Sequence, residues 1–236
     1  MRSRDNDNIH KKPVRVKIDT IILEGNLSIP KDSKGIVLFA HGSGSSRHSP
    51  RNQYVARVLQ EAGLSTLLID LLTVEEERVD DYTMHLRFDI GLLAQRLVGA
   101  TDWLVNNQET RHLNIGYFGA STGAAAALVA ATKHPELIKA IVSRGGRPDL
   151  AGSSLPQVKA PVLLIVGGDD TPVIELNEQA RERMQTKSKI VIVPGATHLF
   201  EEPGKLEDVA KLATDWFLQY LAKSIKNRTN NVERYS

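Results

Sequence analysis

A series of short, largely apolar runs, each followed by a stretch with helical periodicity, constrains this chain more than any other feature. Residues 36–40, 64–72, 115–118, 138–142, 161–166 and 189–193 are rich in Val, Ile, Leu and Phe. A strand buried on both faces needs such a run, because neither face meets water. Between the runs, apolar residues fall three or four apart. Examples are Tyr54, Val55, Val58, Leu59 and Ala62, then Leu93, Leu97, Ala100 and Leu104, then Val209, Leu212, Ala213, Trp216 and Phe217. That spacing lays one apolar stripe along a helix. Alternation of this kind predicts an α/β fold, with a mostly parallel sheet of about eight strands and helices on both faces. Ahead of it, residues 14–18 and 21–29 read as two antiparallel strands with one face in water.

Local punctuation agrees. Ser49-Pro50 and Thr171-Pro172 are helix starts, a capping residue followed by Pro at the first position. Gly63 stops the first helix. Residues 73–86 carry Glu75, Glu76, Glu77, Asp80 and Asp81 and read as a solvated loop. Residues 149–160 make only a short connection, which leaves no room for a large lid. One domain is expected over 14–224, between a disordered basic tail at 1–13 and a polar tail at 225–236.

Charge sorts the possible partners. Residues 1–17 hold six Lys/Arg against two Asp, and residues 218–236 hold four against one Glu. With a net charge of +2 overall, the body between them is acidic by five charges. An acidic body does not make a nucleic-acid surface. No apolar stretch reaches the length of a membrane span, and the first 17 residues hold no apolar signal core. A soluble, cytoplasmic protein is expected. There is no cysteine, so disulfides and thiolate catalysis are excluded. The acids and histidines show no metal-ligand spacing, and neither metal nor cofactor is expected. Oligomeric state is not encoded in any feature of this kind.

The chemistry concentrates at Gly119-Ala120-Ser121-Thr122-Gly123, a G-x-S-x-G between an apolar run and a run of alanines. This is the sequence form of a nucleophile elbow, in which a strand turns sharply into a helix and exposes a serine. Ligands of open α/β sheets bind at the carboxyl ends of the strands, so partners should follow the other runs. After the last run comes His198, in a Gly-rich turn. After the run before it come Asp169 and Asp170. After residues 36–40 comes His41-Gly42-Ser43-Gly44, whose backbone N–H groups, with that of Thr122, fit an oxyanion hole. A phosphate loop is the rival for this segment, but it lacks the Walker lysine and the G-x-G-x-x-G form. Ser121, an Asp, then His198 is the chain order of nucleophile, acid and base in α/β-hydrolases.

These stretches, together with Gly167-Gly-Asp-Asp-Thr-Pro-Val and Pro194-Gly-Ala-Thr-His, resemble the dienelactone-hydrolase-like group of α/β-hydrolases over roughly residues 14–222. The resemblance places the acid at Asp170, through the G-x-x-D pattern that starts at Gly167. It implies Ser121, Asp170 and His198 as catalytic residues, with the amides of Ser43 and Thr122 as oxyanion donors. Dienelactone hydrolases proper use cysteine, and this chain has none, so the resemblance implies serine chemistry without implying lactone specificity. The implied activity is hydrolysis of a small ester, thioester or lactone. The alternative is a weakly active or inactive binding protein on the same fold. His41 and Arg144 are the candidates for substrate contacts, and Arg144 or Arg147 would meet an anionic group. A surface ion pair of these arginines with Asp149 or nearby acids is the rival for that role. Aromatic content is 5% and no exposed apolar helix is evident, which disfavours a lipase.

Overall fold

The computed structural model describes residues 8–222. Eight strands form one sheet in the order β1-β2-β4-β3-β5-β6-β7-β8. They are β1 (Ile9–Ile18), β2 (Ile21–Pro30), β3 (Ile36–Ala40), β4 (Ser65–Ile69), β5 (Ile115–Ala120), β6 (Ile138–Arg144), β7 (Val162–Gly167) and β8 (Ser188–Val193). The first two pair antiparallel, and β2 joins β4 antiparallel. From β4 to β8 every pairing is parallel. The apolar runs are the central strands: all residues of β3, β4, β5 and β7 are buried.

Six helices cover the sheet: α1 (Pro50–Glu61), α2 (Val74–Thr83), α3 (Ile90–Asn106), α4 (Thr122–Ala131), α5 (Thr171–Arg183) and α6 (Lys205–Leu221). One core, built on Leu38, Tyr117, Ile141 and Leu164, packs under α3, α4 and the 3-10 segment Pro148–Gln157. The other, built on Phe39, Phe118, Val142 and Ile165, packs under α1 and α6. Adjacent strand residues point to opposite faces, so each strand from β3 to β8 feeds both cores. The fold expectation therefore holds.

Two boundaries differ from the sequence reading. The first strand starts at Ile9, inside the segment expected to be a tail, and His10 to Pro13 pair with Ile29 to Asn26. Backbone pairing needs no apolar side chain, and Lys and Pro are suited to an edge strand because they block further pairing. The remainder of that tail, residues 1–7, and the expected C-terminal tail at 225–236 lie outside the described residues. The acidic segment is also a helix, α2, and not a loop. Thr73 and Glu76 form a capping box: the Thr73 side chain accepts from the Glu76 N–H, and the Glu76 carboxylate accepts from the Thr73 N–H at 2.8 Å. Asp80 then gathers the turn that follows, accepting from Leu86 N–H at 2.6 Å and from Arg87 Nε at 2.5 Å.

Register places the strand ends together. Ala40 pairs with Gly119, Ala120 with Arg144, Arg144 with Ile165, and Gly167 with Val193. The loops after β3, β5, β6, β7 and β8 thus emerge side by side. At the middle of this edge, α4 lies almost on the strands. A Cβ on Gly123 would sit 2.2 Å from the Ala40 carbonyl oxygen, and one on Gly119 would sit 2.4 Å from Ala124 Cα. Glycine is the residue that permits those approaches. The alanines of α4 extend the close fit.

Behind the elbow, the fully buried Tyr117 hydroxyl lies 2.5 Å from Thr101 Oγ1, and Thr101 donates in turn to Leu97 O at 2.8 Å. The Thr101→Val change leaves a buried phenol without its acceptor, which should lower unfolding free energy by about 1–3 kcal/mol in urea denaturation. Adding Tyr117→Phe should recover part of that loss, because the orphaned hydroxyl is then gone.

Candidate active site

Ser121 stands between β5 and α4 with φ 50° and ψ −122°. A non-glycine residue at positive φ is strained, at a cost of about 1–3 kcal/mol, and persists where its surroundings over-determine it. Here the surroundings do so. The Ser121 N–H donates to Arg144 O at 3.4 Å, while the Ser121 carbonyl accepts from Ala124 N–H and Arg147 N–H, both at 3.1 Å. The loop after β6 therefore grips the serine's backbone on both sides. Thr122 opens the helix, where amides have no intrahelical acceptor.

Asp170 sits at the N-terminus of α5 but does not use its side chain to cap it. Its Oδ2 instead accepts from His198 Nδ1 at 2.7 Å. Asp169, the neighbouring acid, is exposed, and its N–H donates to Ala196 O at 3.0 Å. So the structure brings Asp170, and not Asp169, to the histidine. With Nδ1–H facing the carboxylate, Nε2 keeps its lone pair and is the free basic nitrogen. The turn that carries His198 is fixed from both ends. Thr197 donates to the Glu202 carboxylate through its hydroxyl at 2.6 Å, and Phe200 is buried just beyond. His198 reaches the elbow side through Gly145. A Cβ there would lie 2.9 Å from His198 O and 3.6 Å from its Cε1, and Gly145 itself has φ +49°. The Ser121 hydroxyl is not hydrogen-bonded to His198 Nε2, whose ring is held through Nδ1. In unliganded sites such bonds are often long and tighten with substrate.

The loop after β3 meets the elbow directly. Ser43 N–H, the expected oxyanion donor, donates to Thr122 Oγ1 at 3.0 Å. Ser43 and Thr122 are thus brought together, but in this state the Ser43 amide is occupied by the threonine side chain. Beside this loop a cavity of about 240 Å³ is lined by Gly42 to Ser46, Leu72, Glu77, Asp80, Asp81 and Arg87.

Two expected substrate contacts are placed differently. His41 is 8% exposed and both ring nitrogens are engaged by backbone: Leu71 N–H donates to Nε2 at 3.0 Å, and Nδ1 donates to Gly42 O at 2.9 Å. It ties the loop after β3 to the end of β4 and has no nitrogen left for a ligand. Arg144 is 7% exposed and points to the α1–α6 side, where Nη1 lies 3.5 Å from Leu199 O and Nε has no partner. Burial, aided by repulsion from Arg51, lowers its pKa to about 10. Its guanidinium lies against the turn that carries His198, through Leu199 O. Arg147 pairs with Asp149 through two bonds of 2.9 and 2.8 Å, which explains its raised pKa. Nor is the surface near the mouth free of apolar side chains. Val79, Tyr82, Met84 and Phe88 are exposed on and after α2, Tyr82 by 90%. Reading that segment as a loop hid this patch, and the Thr73-x-x-Glu76 pattern was the available signal. Asn177 of α5, which donates to Gly146 O at 3.0 Å, carried no sequence signal at all.

The sequence matches the dienelactone hydrolase family over residues 23–224. It is 65% identical to the crystal structure of a dienelactone hydrolase from Anabaena variabilis, with a TM-score of 0.90 over 91% of this chain and 99% of that one. Est1E from Butyrivibrio proteoclasticus with ferulic acid bound shares the fold at 18% identity and a TM-score of 0.74, over 89% of this chain and 100% of that one. A curated Mycobacterium tuberculosis protein with a provisional phosphoribosyl transferase name is 56% identical over 213 residues, 90% of this chain and 47% of its own length. The chain thus spans about half the length of the curated relatives it matches. Among the described residues, no helix is long and apolar enough to cross a membrane.

His41 gives the site a pH signature. Burial, partly offset by the bond to Gly42 and by Asp70, holds its pKa below the ordinary 6.5. The unfolded chain therefore takes up the proton first. Stability present above about pH 6.5 is lost as pH falls, by up to about 1.4 kcal/mol per pH unit. In urea denaturation across about pH 8 to 5, the advantage of wild type over His41→Gln should be largest at high pH and shrink with acid.

Proposed function

The chain belongs to the dienelactone hydrolase family, and on that premise we propose that it is a serine hydrolase that cleaves a small ester, thioester or lactone through an acyl-enzyme. The observation that carries this reading is the 2.7 Å bond between His198 Nδ1 and Asp170 Oδ2, made on the same sheet edge as the strained Ser121. That bond leaves Nε2 as the ring nitrogen open to take a proton in this reading.

In this reading Ser121 Oγ attacks the acyl carbon as its proton passes to His198 Nε2. Asp170 holds the ring's tautomer and stabilises the imidazolium. Negative charge develops on the former carbonyl oxygen. It is received by the Thr122 amide, at the head of α4, and by the Ser43 amide, which exchanges Thr122 Oγ1 for the oxyanion. Collapse of the intermediate breaks the bond to the leaving group, which takes the proton from His198. Water then loses a proton to His198 and attacks the acyl carbon; as the acyl–Ser121 bond breaks, His198 returns that proton to Ser121 Oγ and the acid is released. No metal or cofactor enters any step.

The phosphoribosyl transferase name of the Mycobacterium tuberculosis relatives describes proteins about twice this length. This chain spans only about half of their length, so that name is not carried over to it. The burial of Arg144 and the pairing of Arg147 with Asp149 give no support to an anionic substrate group bound by either arginine. The substrate is therefore proposed by its reacting bond and small size alone.

Labelling with a fluorophosphonate, followed by turnover over a panel of esters, thioesters and lactones, tests the reading. Wild type should label at Ser121. The Ser121→Ala and His198→Ala changes should each lower kcat by at least about a thousandfold, with little further loss when combined. Ester turnover surviving in Ser121→Ala would sink the assignment, and a chain that neither labels nor turns over would favour a binding protein on the same fold. Because both oxyanion donors are main-chain amides, Thr122→Ala should keep kcat within about tenfold. A loss of about a hundredfold or more would make the threonine hydroxyl itself a donor.

A further inference from the structure

Asn177 is fully buried two turns into α5, the helix that begins at Asp170. Its Nδ2 donates to Val173 O at 2.7 Å and to Gly146 O at 3.0 Å, so both amide hydrogens are used. Its Oδ1 is buried without a partner. Stability alone does not call for this residue. A buried acceptor left unpaired is costly, and Asn is a poor helix former compared with Leu. A leucine would fill a similar volume and leave no polar atom of its own unpaired.

What the amide holds is the segment from Arg144 to Arg147. That segment touches two members of the proposed triad. It accepts the Ser121 N–H through Arg144 O and donates Arg147 N–H to Ser121 O. Gly145 packs against the backbone and ring of His198. The segment's centre is two glycines, the most conformationally free residues of all. Backbone anchors it further where Gly145 N–H donates to Ile165 O at 2.8 Å and where Arg147 O accepts from Leu150 N–H at 3.1 Å. On the other side of Gly146, Asn177 is the side chain that hydrogen-bonds it. Ser143 Oγ presses on Gly146, where an added Cβ would lie 1.9 Å from it, yet that hydroxyl is buried without a partner.

We propose that Asn177 is a positioning residue: by pinning the Gly145–Gly146 loop to α5, it sets the alignment of Ser121 with His198 and keys both to the helix that carries Asp170. The proposal rests on the serine-hydrolase reading above. Asn177 touches no reacting atom. It acts through a loop whose displacement by about 1 Å is enough to cost on the order of a hundredfold in rate.

The test measures kcat and KM for the best ester of the panel, with kcat expressed per serine titrated by fluorophosphonate, in wild type, Asn177→Leu and Asn177→Asp. The aspartate is close to isosteric but has at most one hydrogen to donate, and none when ionised, so it keeps the shape and cannot hold both carbonyls. Normalising to titrated serine removes protein that has not folded. Both variants should show kcat per titrated serine lowered about ten- to hundredfold, with KM within about twofold. Wild-type kcat per titrated serine in Asn177→Leu, which has no donor at all, overturns the proposal, even where the melting temperature drops. Wild-type protein whose label does not depend on Ser121 overturns the serine reading itself, and this proposal with it.

Discussion

Helix α4 approaches β3 and β5 closely enough that Gly123 has no room for a Cβ against the Ala40 carbonyl, and the rest of the site depends on that approach. A helix normally packs on a sheet through side chains, which hold the two backbones well apart. Here glycines and alanines remove the spacer. The chain turns from strand to helix within one residue, Ser121, which takes positive φ. Its hydroxyl is left projecting above the strand ends, next to the first amides of α4. The same closeness brings the loop after β3 to the elbow, where Ser43 N–H finds Thr122 Oγ1. The strain at Ser121 is offset by the three backbone hydrogen bonds to its own amide and carbonyl.

Around this turn, much of the polar machinery is arranged as support. His41 links two strand ends through both ring nitrogens, Arg144 lies against the His198 turn, and Arg147 is closed off by Asp149. Each looks like a ligand-binding residue when seen as a charged or titratable group at the end of a strand. Each turns out to serve neighbouring backbone or a neighbouring acid. Buried groups find partners wherever the fold supplies them, and some of the partners here are distant in sequence. Arg144 and Leu199 are one such case, and His41 and Leu71 another.

The readings that failed share a cause. The segment from Thr73 to Thr83 was judged by its charge, and charge says that a segment is wet but not how its backbone is paired. The capping box and the Asp80–Arg87 cluster make it a helix and leave Val79 and Tyr82 exposed near the loop after β3. The strand from Ile9 to Pro13 was missed for a similar reason. Its side chains are polar, and its stability comes from a ladder with β2 that no periodicity in those five residues announces.

The amino-acid sequence by itself determined the parts that depend on short-range chemistry. These are the alternation of strands and helices, the helix starts at Ser49-Pro50 and Thr171-Pro172, the elbow at Ser121, and the positions of Asp170 and His198 after their strands. Each is written in adjacent residues, as an apolar run, a cap or a glycine-bounded turn. Tertiary structure alone decided which way Arg144 points, what the nitrogens of His41 bind, and which side chain pins the Gly145–Gly146 loop. Those outcomes follow from strand register and from helices packed across the sheet, which join residues such as Asn177 and Gly146, 31 positions apart. A contact of that kind is settled when the layers close, and no local pattern in the chain records it.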